Sequence, residues 1–298
     1  MGANLKEVRD RMKSVQNTQQ ITKAMKMVSA AKLRRAQDAI TQLRPYANKL
    51  GEILGNLAAN VESESVAALS EHRSVQSALL VIITSNKGLC GAFNTNVIKA
   101  AVHKIENDYA HLKDNGQLKL VFIGKKGYDY FKNRYPQVEK VTGYVELVDR
   151  LTFEEVAGMA DLMIDRFKEG KYDRMDIAYA EFKNAAIQNF DVEPFLPIPE
   201  SETESSEKGG SSADYIFEPN EDELMDHLVP SILQTQLFKC ILDTHASEHG
   251  ARMTAMDKAT DNASELLKEL KINYNKARQE AITRELSEIV GGAAALEG

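Results

Sequence analysis

Two turns in the middle of the chain carry residues that could do chemistry. Gly124-Lys-Lys-Gly127 follows an apolar run and opens a helical pattern, where a helix N-terminus can bind phosphate. The turn is not a P-loop, and no G-x-G-x-x-G occurs in the chain. Ser85–Gly91 also follows an apolar run, and Cys90 at a helix start could be a reactive thiolate. No catalytic partner is indicated for either turn, so an ordinary strand-to-helix turn and a small buried cysteine are the favoured interpretations.

A histidine pair is the third candidate. His245 and His249 stand four residues apart in a helical pattern, a spacing that can bind zinc. The motif is H-A-S-E-H rather than H-E-x-x-H, and no third ligand is indicated. A packed or surface pair is the favoured interpretation. The sequence therefore predicts no active site, no bound metal and no cofactor.

Long helical patterns at the two ends of the chain must position everything else. The first runs from about Asn4 to Leu57 and the second from about Asn220 to Val290. Apolar residues recur every three or four positions in both, as in a coiled-coil seam. They are Leu5, Val8, Met12 and Val15 in the first, and Met256, Ala259, Ala263, Leu266, Leu270, Tyr274, Ala277 and Ala281 in the second. We expect the two ends to pair as one long antiparallel coiled coil.

The segment between these helices reads as alternating strands and helices. Strands are predicted over Ala78–Thr84, Leu118–Ile123 and Met175–Phe182, and 187–198 could add one more. Helices are predicted over 94–112, 127–134 and 153–168. The fold class is therefore α/β: a Rossmann-like, mostly parallel domain plus the terminal coiled coil. The predicted domains are 1–60, 75–213 with a mobile acidic loop at 201–213, and 214–298 pairing with 1–60.

Charge is distributed unevenly along the chain. Net charge is −7, yet residues 1–40 hold nine basic and three acidic side chains, a balance of +6 that leaves −13 to the remainder. A basic helical end suggests an acidic partner, although solvated lysines and arginines explain the same pattern. The sequence has no apolar stretch long enough to span a bilayer and no signal-peptide pattern, so direct membrane insertion is not expected.

Four blocks of sequence carry a family resemblance over nearly the whole chain. They are Ser14–Leu33, Gly88–Asn94, Ser247–Met253 and Ile282–Ala293, and they occur in the right order. With them the chain resembles the γ subunits of the F-type ATP synthases, of the bacterial type. One departure is Asn86, where the family often has Asp. Chloroplast members carry an inserted cysteine pair used as a thiol switch, and this chain has only the distant Cys90 and Cys240. We therefore expect no dithiol control.

The resemblance implies a central rotor shaft that is not itself an enzyme. In the family, ion flow through the membrane c-ring turns the γ subunit, which drives ATP synthesis or hydrolysis at the α/β catalytic sites. The implied partners are the α and β subunits of the α3β3 ring, the ε subunit and the c-ring, with no nucleic acid. The implied location is peripheral, on the cytoplasmic side of the bacterial inner (plasma) membrane.

The resemblance also implies two contact sites. Residues matching positions that face or support the β subunits are Met25, Arg252, Arg278, Gln279, Thr283 and Glu285. Residues implied to contact ε or the c-ring are Tyr215, Phe217 and Glu218, in which aromatics alternate with acidic side chains.

Two other classes of protein fit the pattern without the resemblance. One is a nucleotide-binding α/β enzyme with a helical oligomerisation arm, which would bind nucleotide tightly by itself. The other is a coiled-coil scaffold, which would not purify with ATPase-active α and β subunits.

Overall fold

A computed structural model describes residues 5–60, 64–198 and 221–297 of the chain. The chain divides into two compact units, one formed by residues 1–30 with 252–298 and the other by residues 31–251. Two helices contribute to both units: α1, Leu5–Asn60, and α7, Glu221–Glu297. Within the described residues, no helix is apolar over a stretch long enough to cross a membrane.

The larger unit is built on a five-stranded sheet. Its strands are β1 (Ala78–Ile83), β2 (Leu118–Ile123), β3 (Glu139–Val141), β4 (Arg174–Phe182) and β5 (Gln188–Leu196). They lie in the order β3-β2-β1-β4-β5. The first four are parallel, and β5 pairs antiparallel with β4. The expected mostly parallel sheet is therefore confirmed, with the last strand running in reverse.

Short helices connect these strands. After α2 (Glu64–Ser70), which precedes β1, they are α3 (Phe93–Asn107), α4 (Ala110–Asp114), α5 (Lys125–Arg134) and α6 (Phe153–Lys168), with a 3-10 turn at Val145–Val148. Each parallel pair needs a crossover connection, which is why helices alternate with strands. The helix expected over 94–112 is two helices, because it ends at Asn107 and restarts at Ala110.

Both faces of the sheet are buried, which explains the continuous apolar runs of β1 and β2. Leu79, Val81 and Ile83 of β1 point into one core, which α6 also lines. Leu80 and Ile82 point into the opposite core with α3 and α5. All six residues of β1 are buried.

The first part of α7 belongs to the core of this unit. Its residues Met225, Val229, Ile232, Leu233, Leu237, Cys240 and Ile241 are buried in the same cluster as Leu79 and Met175. Further along, Thr244 accepts a hydrogen bond from the Ala180 amide at 3.2 Å, and Ser247 donates to the Ala180 carbonyl at 3.2 Å. The α/β unit thus includes part of α7, while the exact division of the chain into functional domains stays a prediction.

The smaller unit is the antiparallel pairing of the start of α1 with the end of α7. Val8 of α1 is buried, as are Met256, Ala263 and Leu270 of α7. These are residues of the expected coiled-coil seam. They are buried because a three-and-four spacing keeps one side of each helix facing the other.

Candidate functional site

The turn Gly124–Gly127 is closed to phosphate by the protein itself. The amide of Lys125 donates to Asn86 Oδ1 at 2.8 Å, and the amide of Gly127 donates to Thr84 Oγ1 at 2.9 Å. Between them, the Lys126 amide donates to the Ser85 carbonyl at 3.1 Å. These are the donors that a phosphate at this helix N-terminus would need. Because these amides donate to residues at the end of β1, the turn holds the start of α5 against that strand instead of binding a phosphate.

Gly124 shows why this turn needs glycine. Its φ is 94°, and a Cβ at this position would lie 1.9 Å from the Thr84 carbonyl oxygen. A side chain here is excluded by both backbone conformation and space. The tight approach brings the loop after β1 against the start of α5, leaving a packed corner rather than a ligand cradle.

The other two chemical candidates are also packed. Cys90 is 2% exposed, and Asn94 Nδ2 lies 3.1 Å from its Sγ. The imidazoles of His245 and His249 contact each other, with 3.2 Å between their Nε2 atoms. No group of three or more His, Cys, Asp or Glu side chains suited to a metal occurs among the described residues. The geometry of these residues assembles no catalytic centre.

Polar contacts tie the two helices of the smaller unit together. Gln19 Nε2 donates to Ser264 Oγ at 2.6 Å, and the hydroxyls of Thr22 and Thr260 are 2.8 Å apart. Towards the start of α1, Arg9 donates to the Tyr274 hydroxyl at 2.8 Å, and this hydrogen bond raises the pKa of the arginine. Since the helices are antiparallel, Leu5 lies opposite the stretch around residue 278.

Beyond that point the last turns of α7 present their side chains outward. Every residue from Ile282 to Ala293 is exposed. Four of them are large and apolar: Ile282 (48% exposed), Leu286 (58%), Ile289 (70%) and Val290 (61%). At about 100° per residue they fall on one side of the helix. We call these four residues the apolar stripe.

The paired part of this unit also exposes apolar side chains. Ile21, Met27 and Val28 of α1 are each more than half exposed. The basic start of α1 thus exposes apolar side chains as well as charged ones.

The residues predicted to contact β have different environments. Arg278, Gln279, Thr283 and Glu285 are exposed on α7, Met25 is half-buried, and Arg252 is only 8% exposed. Tyr215, Phe217, Glu218 and the loop at 201–213 lie outside the described residues. The sequence reasoning missed the apolar stripe, although its spacing of four, three and one was visible in the block Ile282–Ala293.

The described residues thus form a packed α/β unit and a helical unit that exposes apolar side chains. Comparison with known proteins identifies the family. A family model described as ATP synthase matches residues 4–296, so the chain belongs to the ATP synthase family. Its relatives include the ATP synthase gamma chain of Flavobacterium johnsoniae, 54% identical over 99% of this chain and 100% of that one. The gamma chain of Cytophaga hutchinsonii is 48% identical over 98% and 99%.

Solved structures agree on the fold. A chain of the Euglena gracilis mitochondrial ATP synthase (OSCP/F1/c-ring, rotational state 3) superposes with a TM-score of 0.65 at 22% identity, covering 98% of this chain and 94% of that one. A chain of the Tetrahymena thermophila central stalk/c-ring gives 0.56 at 24% identity, over 80% and 99%. The resemblance to γ subunits, the fold class and the assignment as a non-catalytic subunit are confirmed.

Proposed function

We propose that the chain is the central rotor shaft of an F-type ATP synthase. It couples proton (or Na⁺) flow through the membrane c-ring to ATP synthesis and hydrolysis at the α/β catalytic sites. The observation that carries the proposal is the apolar stripe on the exposed end of α7, in a chain of the gamma family. Four large apolar side chains on one side of an exposed helix are stable in water only at a cost, so a partner is expected to cover them.

The predicted β contacts border this stripe. At about 100° per residue, Arg278 and Glu285 fall on one side of it, Gln279 falls within it, and Thr283 falls on the other side. Together with the stripe they span roughly 160° of the helix surface. An apolar centre rimmed by polar and charged side chains is the usual composition of a protein interface. This placement supports Arg278, Gln279, Thr283 and Glu285 as contacts to β.

Met25 and Arg252 have a different role in the proposal. Met25 is half-buried on α1, so its side chain can both pack within the chain and touch a partner. Arg252 is 8% exposed, so its proposed role is to support a contact rather than to face β directly.

A one-sided surface also suggests how a shaft can drive catalysis. Each β subunit meets a different side of the helix, apolar or charged, as the shaft turns. A surface that binds two β conformations with different affinity shifts their populations at each angle. Contacts made by exposed charges are weak enough to break at every step, because exposed ion pairs contribute only about 0–1 kcal/mol.

The proposed partners follow from this role. They are the α and β subunits of the α3β3 ring, the ε subunit and the c-ring, with the complex peripheral on the cytoplasmic side of the bacterial inner membrane. The solved relatives are described as F1/c-ring, central stalk and rotor assemblies, which supports these partners. Residues Tyr215, Phe217 and Glu218 are proposed to meet ε or the c-ring. We further propose residues 1–60 and 214–298 as the paired terminal helices and 75–213 as the central α/β domain, into whose core the first part of α7 also packs.

The experiment that tests the proposal is reconstitution with native partners and the variant Arg278→Ala. We expect the complex to assemble, while ATP synthesis driven by an ion gradient falls, because Arg278 borders the stripe. Arg284→Ala removes an equally exposed charge from the opposite side of the helix and serves as the matched control. Equal synthesis by both variants would refute the contact assigned to Arg278. Failure of the wild-type chain to purify with α and β subunits would refute the shaft.

A crosslinker at Tyr215 tests the contact proposed for this residue. It is expected to reach ε or the c subunits. Products with α or β alone would overturn the proposed orientation of the chain in the complex.

A further inference from the structure

The seam between the two helices of the smaller unit changes its chemistry partway along. On α1 the three-and-four spacing is apolar at Leu5, Val8, Met12 and Val15. The same spacing then continues through Gln19, Thr22, Lys26 and Ser29, all polar. Thr22 is 8% exposed and Ser29 is 2% exposed, so these side chains face inward as seam residues do. The coiled coil thus contains a polar stretch within an unbroken heptad pattern.

Three of these residues reach across to α7. Gln19 bonds Ser264 at 2.6 Å, Thr22 bonds Thr260 at 2.8 Å, and Lys26 forms an ion pair with Asp257. The contacts recur about once per helical turn along seven residues of α1, a rise of about 10 Å. We call these three pairs the polar ladder.

Each threonine hydroxyl also has a hydrogen-bond partner on its own helix. Thr260 Oγ1 lies 2.7 Å from the Met256 carbonyl of its own helix, and Thr22 Oγ1 lies 3.0 Å from the Gln19 carbonyl. Each hydroxyl therefore keeps a partner when the other is removed. Replacing both members of a hydrogen bond by apolar groups of the same shape is often nearly neutral, so we expect apolar side chains here to cost little stability. On that expectation the ladder contributes something other than stability.

Unlike an apolar contact, a hydrogen bond between the helices depends strongly on how the two helices are positioned along their axis. Twisting a pair of helices slides one along the other. Apolar contacts are non-directional and lose little when the slide is small. A hydrogen bond weakens steeply once its heavy atoms separate beyond about 3.2 Å or its angle falls below about 120°.

We propose that the polar ladder locks the two helices against sliding, so that Gln19 and Thr22, whose rungs are hydrogen bonds, act as positioning residues that set the axial register of the smaller unit. The load that such a lock resists is torque, and to that extent the inference rests on the proposed rotor function. The lock itself is a property of the isolated chain and can be measured there.

The first experiment uses the full chain with the four substitutions Gln19→Leu, Thr22→Val, Thr260→Val and Ser264→Ala. Spin labels at the exposed positions Asn17 and Glu265 report the distance between the helices. We expect an unchanged or higher unfolding midpoint together with a distance distribution broadened about 1.5-fold, because both hydrogen-bonded rungs are lost while packing is kept. The Lys26–Asp257 ion pair remains, and as an exposed pair it contributes little. The control is Thr18→Val, whose hydroxyl bonds only the Ser14 carbonyl of its own helix.

The outcomes separate a lock from an ordinary stabilising contact. An unchanged distance distribution overturns the proposal. A lower unfolding midpoint with a broader distribution also overturns it, because the ladder would then simply hold the helices together. A variant with Thr22→Ser and Thr260→Ser in place of the two valines keeps both hydroxyls, and it is expected to show a distance distribution narrower than that of the four-substitution variant.

The second experiment places the same variants in the complex with α and β subunits. Angular fluctuations of the stalled shaft are expected to widen in the four-substitution variant and to stay unchanged in Thr18→Val. Unchanged fluctuations despite sliding in the isolated chain would overturn the role of the lock under torque. A wild-type chain that fails to rotate would overturn the proposed function, while the isolated-chain result would stand.

Discussion

Replacing the centre of the apolar stripe is expected to weaken assembly without weakening the fold. The substitutions are Leu286→Gln and Ile289→Gln, which keep a good helix former at both positions. These side chains are 58% and 70% exposed, so the isolated chain has little burial to lose. Its free energy of unfolding should change by no more than about 0.5 kcal/mol per substitution, as is usual at exposed positions.

In the complex the same substitutions remove buried apolar surface. Full burial of a leucine or isoleucine contributes about 1.5–3 kcal/mol, and roughly two thirds of that remains available at these positions. Each substitution should therefore cost about 1–2 kcal/mol of binding, and both together about 2–4 kcal/mol. Since 1.4 kcal/mol is a factor of ten, the affinity for α3β3 should fall roughly 30- to 700-fold.

The assay combines urea unfolding of the isolated chain with titration of a fluorescent chain into α3β3. The matched control is Arg284→Gln with Glu288→Gln, which alters two exposed residues on the opposite side of the same helix turns. Wild-type affinity in the stripe variant would refute the reasoning that this face is covered. An equal loss in the control would show that the contact is not one-sided.

Three further predictions concern the α/β unit. Burial raises the pKa of the Asp243 carboxyl, whose Oδ1 accepts a hydrogen bond from Arg44 at 3.0 Å. Because the folded pKa is raised, the stabilisation of the fold by the protonated Asp243 carboxyl is present below its unfolded pKa and is lost as pH rises through its folded pKa. Urea unfolding at a series of pH values should show this loss in the wild-type chain and not in Asp243→Asn. Asn86→Asp sets a carboxylate against Asp149, whose Oδ2 now accepts a 2.7 Å hydrogen bond from Asn86. This change should cost about 1 kcal/mol, and adding Asp149→Asn should restore the unfolding midpoint. Both cysteines are buried and neither forms a disulfide, so mild reduction should leave the ATPase rate of the complex unchanged; a clear change would restore the case for a thiol switch.

Much of the architecture was determined by local sequence. The apolar runs of β1 and β2 are continuous because both faces of a parallel sheet are buried, and a pattern of that kind is visible without a structure. The seam residues of α7 were equally visible, because helical periodicity alone decides which residues share a side. The four family blocks identified the relatives for the same reason: they are local strings.

Strand pairing and the closing of the turn at Gly124 depend on contacts between distant parts of the chain, which local sequence patterns do not contain. The three residues of β3 are a strand only because β2 offers them hydrogen-bonding partners, and β5 runs antiparallel because it returns directly from β4. The phosphate candidate at Gly124 was excluded because the turn's amides donate to acceptors on Thr84 and Asn86, some forty residues away in the sequence.

The contact surface shows the same division. The sequence determined that Ile282, Leu286, Ile289 and Val290 share one side of a helix. It could not determine whether that side packs inside the chain or faces a partner, because the periodicity of a buried seam and of an exposed stripe is identical. Within the described residues α1 begins at Leu5, opposite the stretch around Arg278, and the last turns of α7 beyond that stretch are exposed. Which apolar residues of α7 are buried and which are exposed thus depends on where the opposing helix lies, a property of the tertiary structure.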